Sequence, residues 1–409
     1  MERSMMQLLI QLPKGFRFAG VSAGIKSRAG AKDVTLIVSD NPCTAAGVYT
    51  TNQIVAAPVV LSRSRTPSAN IRGIVINSGN ANACTGQQGD LDAAEMTRLA
   101  ATSLPKPLAS KAEDFLVMST GIIGRKLPMA KIQAGIEQAA KSLGDSQTHF
   151  LDACDGIMTT DAFRKTAHRN IRTSKDSYAI VGMCKGAGMI GPKMATMLAI
   201  VVTDAPIEAT AAQRILQAAA NRSFNCISVE GHMSTNDSLV LLAQAPSNAN
   251  PSLDPTELAK FEAELTELCI ELAKKIPDDG EGATHLIEIC VKGANTHADA
   301  DAIARSIALS NLVKTAITGG DPNWGRIVSA AGYAGVPIQP KRTALKINGL
   351  PLFDAGEPLD FNAKEVSESI RASKLTLIEL DVGLGPGSAT HWTTDLNTEY
   401  VRFNSEYTT

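Results

Sequence analysis

Along all 409 residues, short runs rich in Val and Ile alternate with stretches whose apolar residues recur every three or four positions, and no low-complexity linker interrupts them. A period near two means strands and a period near 3.6 means helices, so each strand is expected in a sheet that helices cover. The pattern therefore predicts an α/β chain, layered in the α+β manner. Strands are expected at Asp33–Val38, Gly73–Ile76, Phe115–Met118, Tyr178–Met183, Leu198–Thr203, Ser238–Ala243, Leu286–Val291, Ala344–Ile347 and Leu375–Leu380. Helices are expected at Leu91–Ser103, Ala130–Ser142, Thr210–Asn221, Pro255–Lys275, Ala298–Thr315 and Ala363–Ala372. The helix from Pro255 puts Leu258, Phe261, Leu265, Leu268 and Leu272 on one stripe, and Pro277-Asp278-Asp279-Gly280 is expected to stop it. A chain this long has room for two or three units with real cores.

Charge and composition remove several function classes. Lys plus Arg number 39 against 41 Asp plus Glu, a formal charge of −2 with no block of one sign, which argues against a broad attraction to nucleic acid or anionic membrane. Aromatics make up only 4% of the chain, too few for a platform that stacks bases. The seven cysteines (Cys43, Cys84, Cys154, Cys184, Cys226, Cys269 and Cys290) are scattered and never form a CxxC pair, and the six histidines form no HxxxH. No metal site and no disulfide framework are expected, and a reducing cytoplasm fits best. Gln11 breaks the short apolar stretch near the N-terminus, so no signal peptide is expected. The most apolar segment, Met194 to Val202, is less than half of the ~20 residues that cross a bilayer.

Gly186-Ala187-Gly188-Met189-Ile190-Gly191 matches G-x-G-x-x-G after an expected strand. A dinucleotide fingerprint must open directly into a helix, whereas here Pro192 leads into the strand-like Leu198-Ala199-Ile200-Val201-Val202. The same segment sets one hydroxyl, Thr196, between a Gly/Pro turn and an apolar strand. A threonine there serves either as a β-branched strand residue or as a nucleophile, the latter if cutting Ala195–Thr196 frees its own α-amine as base.

The run from Lys185 through Lys193-Met194-Ala195-Thr196-Met197-Leu198 resembles the self-cleavage signature of the ArgJ family, the ornithine acetyltransferases. The similarity continues through Asn77-Ser78-Gly79-Asn80-Ala81-Asn82-Ala83-Cys84-Thr85-Gly86, Ser119-Thr120-Gly121-Ile122-Ile123-Gly124 and Asp321-Pro322-Asn323-Trp324-Gly325-Arg326, and spans about Gly15 to Thr409. The resemblance implies a DmpA/ArgJ-like self-cleaving fold, with a nucleophile-bearing α/β domain at 1–284 and a smaller C-terminal α/β domain at 285–409 whose tail returns to the active site. It implies cleavage between Ala195 and Thr196, after which the Thr196 hydroxyl takes acetyl from N2-acetyl-L-ornithine and passes it to L-glutamate.

By the same resemblance Thr120 and Gly121 hold the oxyanion, and Thr159, Lys185, Glu281, Asn404 and Thr409 bind substrate together with Thr196. No cofactor is implied, acetyl-CoA stays open as a second acetyl donor, and the fragments assemble as (αβ)2 or larger in the cytoplasm. Read without the resemblance, Ser119-Thr120-Gly121 is equally an ordinary turn, Lys185 and Glu281 are solvated charges, and the C-terminal residues fray. The chain departs from the family pattern at His232, where an acidic residue is usual, at Met233, where a threonine is usual, at the longer Glu230, and at His285 in place of a basic residue. A self-cleaving N-terminal-nucleophile aminopeptidase or amidase, in which water replaces glutamate, is the nearest alternative. A catalytically silent homologue is the next.

Overall fold

The computed structural model describes residues 10–173, 176–191 and 197–406. These residues form strands β1 (Phe16–Val21), β2 (Val34–Tyr49), β3 (Ser68–Asn80), β4 (Phe115–Ile122), β5 (Lys165–Arg172), β6 (Ser177–Lys185), β7 (Leu198–Pro206) and β8 (Ile227–Ser228). They continue with β9 (Ser238–Gln244), β10 (Leu286–Ala294), β11 (Ala344–Ile347), β12 (Leu350–Asp354), β13 (Glu357–Pro358), β14 (Leu375–Asp381) and β15 (Gly387–Thr394). One mixed sheet runs β4-β3-β2-β9-β7-β6-β5, with β1 paired to β2, and a second runs β13-β12-β11-β14-β10-β15-β8. The fold is thus α/β with two mixed sheets. The second sheet draws all its strands from beyond residue 285 except β8, whose Ile227 pairs with Trp392.

All nine expected strands form. The pattern misses β1, β5, β8, β12, β13 and β15 because they are short or carry polar residues; β5, Lys-Thr-Ala-His-Arg-Asn-Ile-Arg, is an edge strand with no apolar run to detect. Two helix expectations need correction. The stretch 298–315 is two helices, His297–Leu309 and Asn311–Gly319, because Ser310 leaves the helical region and its hydroxyl accepts the Val313 amide at 3.4 Å as the next N-cap. The helix from Pro255 runs to Asp278, past Lys275. Pro277 lacks only one donor in the last turn, and the Asp279 and Gly280 amides close that turn on Ile276 and Pro277. Its start follows the expected chemistry, with Asp254 accepting the Thr256 and Glu257 amides at 2.9 Å each.

Alternation decides the layers. In β7, Leu198, Ile200 and Val202 face a cluster with Phe16, Phe18 and Phe150, while Ala199 and Val201 face helices Ala209–Asn221 and Pro255–Asp278. The same long helix buries Phe261, Leu265, Leu268 and Leu272 in a cluster that also holds Leu286 and Trp392 from the second sheet, so it joins the two sheets. The other face of the second sheet packs Ile287, Ile289 and Val291 against the helices at 297–332 and 363–371. Between β6 and β7, Lys185 pairs with Leu198 in an antiparallel register. The glycine-rich segment therefore turns the chain back along the sheet, and residues 186–191 open no helix, which excludes the dinucleotide fingerprint. Among the described residues no helix is long and apolar enough to cross a membrane.

Candidate active site

The ends of β4 and β6, the turn after Gly188, the loop before β9, the loop after the long helix and the last helix meet at one pocket. It is lined by Thr120, Gly121, Thr159, Thr160, Lys185, Gly188, Ser234, Asn236, Glu281 and Asn404, among others.

Thr120 and Gly121 sit where the parallel β3–β4 register shifts at Gly79/Asn80. Gly121 has φ +131°, and a Cβ there would lie 2.3 Å from the Gly79 carbonyl carbon, so this position requires glycine. A buried amide network fixes the segment: Asn236 Nδ2 donates to Ala81 O at 2.7 Å and Ser119 O at 2.9 Å, and Ser119 Oγ donates to Asn77 Oδ1 at 2.6 Å. Thr120 is buried, and its hydroxyl makes no hydrogen bond among the described residues. It remains available to a ligand.

Lys185 is 3% exposed, and among the described residues its Nζ makes no hydrogen bond or ion pair. Burial holds its amine below the ordinary lysine range and Lys165 adds to this, while Asp161, Glu281 and Asp237 pull the other way. The opposing charge in the pocket is Glu281, which accepts Thr160 Oγ1 and Asn404 Nδ2 at 3.1 Å each. Burial raises its carboxyl above the usual range, and Asn404, Thr160 and Lys185 partly offset that. A site with one unpaired ammonium and one half-buried carboxylate is built for a ligand that carries both signs.

The sequence reading also named Ala195, Thr196 and Thr409, and these lie outside the described residues. Of the others, Thr120, Gly121, Thr159, Lys185, Glu281 and Asn404 all line this pocket. Asn404 reaches it on the helix Thr398–Glu406, and Lys185 is buried where an isolated sequence would leave it solvated. Thr160, Gly188, Ser234 and Asn236 were not foreseen as lining; Gly188 lies in the G-x-G-x-x-G run and Ser234 directly follows Met233, whereas Thr160 carries no sequence signal.

Around the signature loop, Asp237 Oδ1 accepts the Met197 amide at 3.1 Å, its other oxygen has no partner among the described residues, and burial pushes its carboxyl well above the ordinary range. Glu230 accepts the Ile190 amide at 2.5 Å and is pushed up to about 7 by burial. That departure from the family pattern therefore touches the signature loop itself. Met233 offers its carbonyl to Asn52 Nδ2 at 3.1 Å and its sulfur to the Thr51 hydroxyl at 3.4 Å, and His285 sits against Asp395.

Outside the pocket lining, Cys226, Asp301 and His391 bring potential metal-ligating atoms within 4.8 Å of one another. His391 Nε2 already bonds Asp301 Oδ1 at 2.7 Å, and burial pushes the Cys226 thiol up to about 12, which makes it a poor ligand.

Comparison with known proteins places these observations. The sequence model described as the ArgJ family matches residues 17–409. The arginine biosynthesis bifunctional protein ArgJ of Rhodopirellula baltica is 52% identical over 97% of this chain and 96% of its own length. That of Symbiobacterium thermophilum is 46% identical over 98% of each chain. The crystal structure of arginine biosynthesis bifunctional protein ArgJ from Bacillus halodurans aligns with a TM-score of 0.48 at 38% identity, covering 51% of this chain and 98% of that one.

Proposed function

The chain belongs to the ArgJ family and is an ornithine acetyltransferase of arginine biosynthesis, and on that premise we propose that the pocket is where acetyl passes from N-acetylornithine to glutamate through Thr196. The observation that supports this most is the convergence of Thr120, Gly121, Thr159, Lys185, Glu281 and Asn404 on one small cavity. In the precursor, Thr196 Oγ attacks the Ala195 carbonyl, the peptide C–N bond breaks, and water releases the ester to leave a free α-amine. In the mature enzyme that amine takes the hydroxyl proton while Oγ attacks the acetyl carbon of acetylornithine. The amide C–N bond breaks, the departing ornithine nitrogen gains the proton, and glutamate's amine then displaces Thr196 from the ester. The Thr120 hydroxyl and the Gly121 amide donate to the oxyanion in both halves. Lys185 takes the substrate carboxylate, and Glu281, held by Thr160 and Asn404, takes the free side-chain ammonium of acetylornithine.

Acetylornithine plus glutamate should give acetylglutamate in step with ornithine. Free acetate in its place would transfer the chain to the hydrolase alternative. Acetyl-CoA plus glutamate, without acetylornithine, tests the second acetyl donor. We further read residues 1–284 as the nucleophile-bearing part and 285–409 as the domain whose tail closes the site, with Thr409 contributing at its end. The two fragments stay associated and pair as (αβ)2 or larger, which native mass measurement checks. The seven free cysteines support a cytoplasmic setting.

Gly188 offers a sharp test of Glu281. A Cβ at Gly188 would lie 2.4 Å from the Glu281 carboxyl, the movable end of a flexible side chain. Gly188→Ala should therefore fold and melt nearly as the native protein does, yet swing that carboxyl away and raise KM for acetylornithine by about tenfold or more. Unchanged KM in a variant of normal stability would remove Glu281 from ammonium binding.

A further inference from the structure

Beneath the pocket floor lies a cluster of charges that the reaction does not touch. Lys165 is fully buried at the start of β5, with its Nζ 2.7 Å from Asp161 Oδ1 and 2.5 Å from Asp279 Oδ2. Removing charges from water is costly, and such groups persist where every lone pair is used. Here the remaining contacts tie together loops that carry pocket residues. Asp161 Oδ1 also accepts the Gly186 amide at 2.7 Å, and its Oδ2 accepts the Thr159 amide at 2.8 Å. Asp279 Oδ2 accepts the Ala162 amide at 3.0 Å, and two residues later the Glu281 amide donates to Ala187 O at 3.0 Å. Three loops that each carry a pocket residue are thus tied to one ion cluster.

The cluster holds two carboxylates against one ammonium, so one negative charge is in excess beside the unpaired Lys185. Resting on the substrate reading above, we propose that Asp161, clasped by Lys165 and Asp279, is a positioning residue that holds the Thr159, Lys185 and Glu281 loops around a bound amino acid and supplies the negative charge opposite the Lys185 ammonium. The charged groups whose fields act on Lys185 are Asp161 and Lys165 from the β5 side, Glu281 from the loop after the long helix, Asp237 from the head of β9, and Lys26. Burial and Lys165 lower the Lys185 amine, and Asp161 is foremost among the groups that raise it. The Asp161 carboxyl is itself held down at about 2: burial opposes this, but Lys185, Lys165 and the Gly186 amide outweigh it.

Loss of the Asp161 charge lowers the Lys185 amine further. Carboxylate binding, which needs the ammonium, then fails at a lower pH than in the native enzyme. In Asp161→Asn the KM for glutamate at neutral pH should rise about tenfold or more with kcat within about threefold, and the alkaline rise of KM should move down by about one pH unit. Self-cleavage should proceed, since it needs no free amino acid. Asp279→Asn loosens the clasp but removes no charge that faces Lys185, so its KM should rise without a shift of the alkaline limb.

Asp161→Glu keeps the charge but lengthens the side chain; it should fold, hold the limb in place and still raise KM, and it decides the positioning claim if the asparagine variant does not fold. Native KM in Asp161→Glu, an unshifted limb in a folded Asp161→Asn, or equal limb shifts in Asp161→Asn and Asp279→Asn would each overturn the proposal. Calorimetric binding of glutamate to each variant needs no turnover, so it reports on the cluster even if the acetyl-transfer reading fails. That reading is tested separately by products and by cleavage at Thr196.

Discussion

Replacing Thr196 by alanine will leave one intact chain on a denaturing gel where the native protein is expected to run as residues 1–195 and 196–409, two bands of similar size, and acetyl transfer will fall by on the order of 10⁴-fold or more. The size of the effect follows from the number of jobs the residue holds. On the mechanism proposed above, its hydroxyl opens the Ala195 carbonyl, the same hydroxyl carries acetyl in every turnover, and the amine freed by cleavage serves as its base. Alanine removes the first two directly and the third by consequence, since an uncut chain has only a peptide nitrogen at that position. Thr196→Ser keeps the hydroxyl and should still cleave, which separates chemistry from shape. Mass spectrometry that finds the alanine variant cut at the same bond would sink the mechanism.

The second large effect lies on the other side of the reacting carbonyl. Thr120→Val should lower kcat by about 10²–10³ while the melting temperature stays near the native value. Valine keeps the β-branched outline that β4 packs, and the lost hydroxyl has no partner among the described residues, so no fold-stabilising bond disappears. Its donor function would be missed only when negative charge develops on the carbonyl oxygen. That makes the prediction selective: processed enzyme, native KM within a few-fold, and slow chemistry. Normal turnover in fully cleaved Thr120→Val would leave the Gly121 amide without its supposed companion and remove Thr120 from the oxyanion site.

The sequence by itself determined the strands and helices with strong apolar periods and the family signature. Period-two and period-3.6 patterns are local, so the strands from β2 through β14 with continuous apolar runs, and the Asp254-capped helix, were legible from neighbours a few residues apart. The signature around Thr196 was legible for the same reason: a nucleophile, its scissile bond and the strand that follows are contiguous. Thr196 and Thr409 rest on sequence and resemblance alone, being outside the described residues.

Only the tertiary structure decided which charges are buried. Lys165 and Lys185 look like solvated lysines in the chain, because the groups that make their burial tolerable are not all local: Asp161 is four residues from Lys165, but Asp279 lies 114 residues from it. Glu281 likewise gains its orientation from Thr160, 121 residues before it, and Asn404, 123 residues after it. A charge enters a protein interior when its partners arrive with it, and partners that far apart meet only once two sheets have packed on a common helix. Edge strands such as β5 escaped detection by the same logic. Their polar outer residues obey the neighbouring strand and the site they frame, and no local period records that.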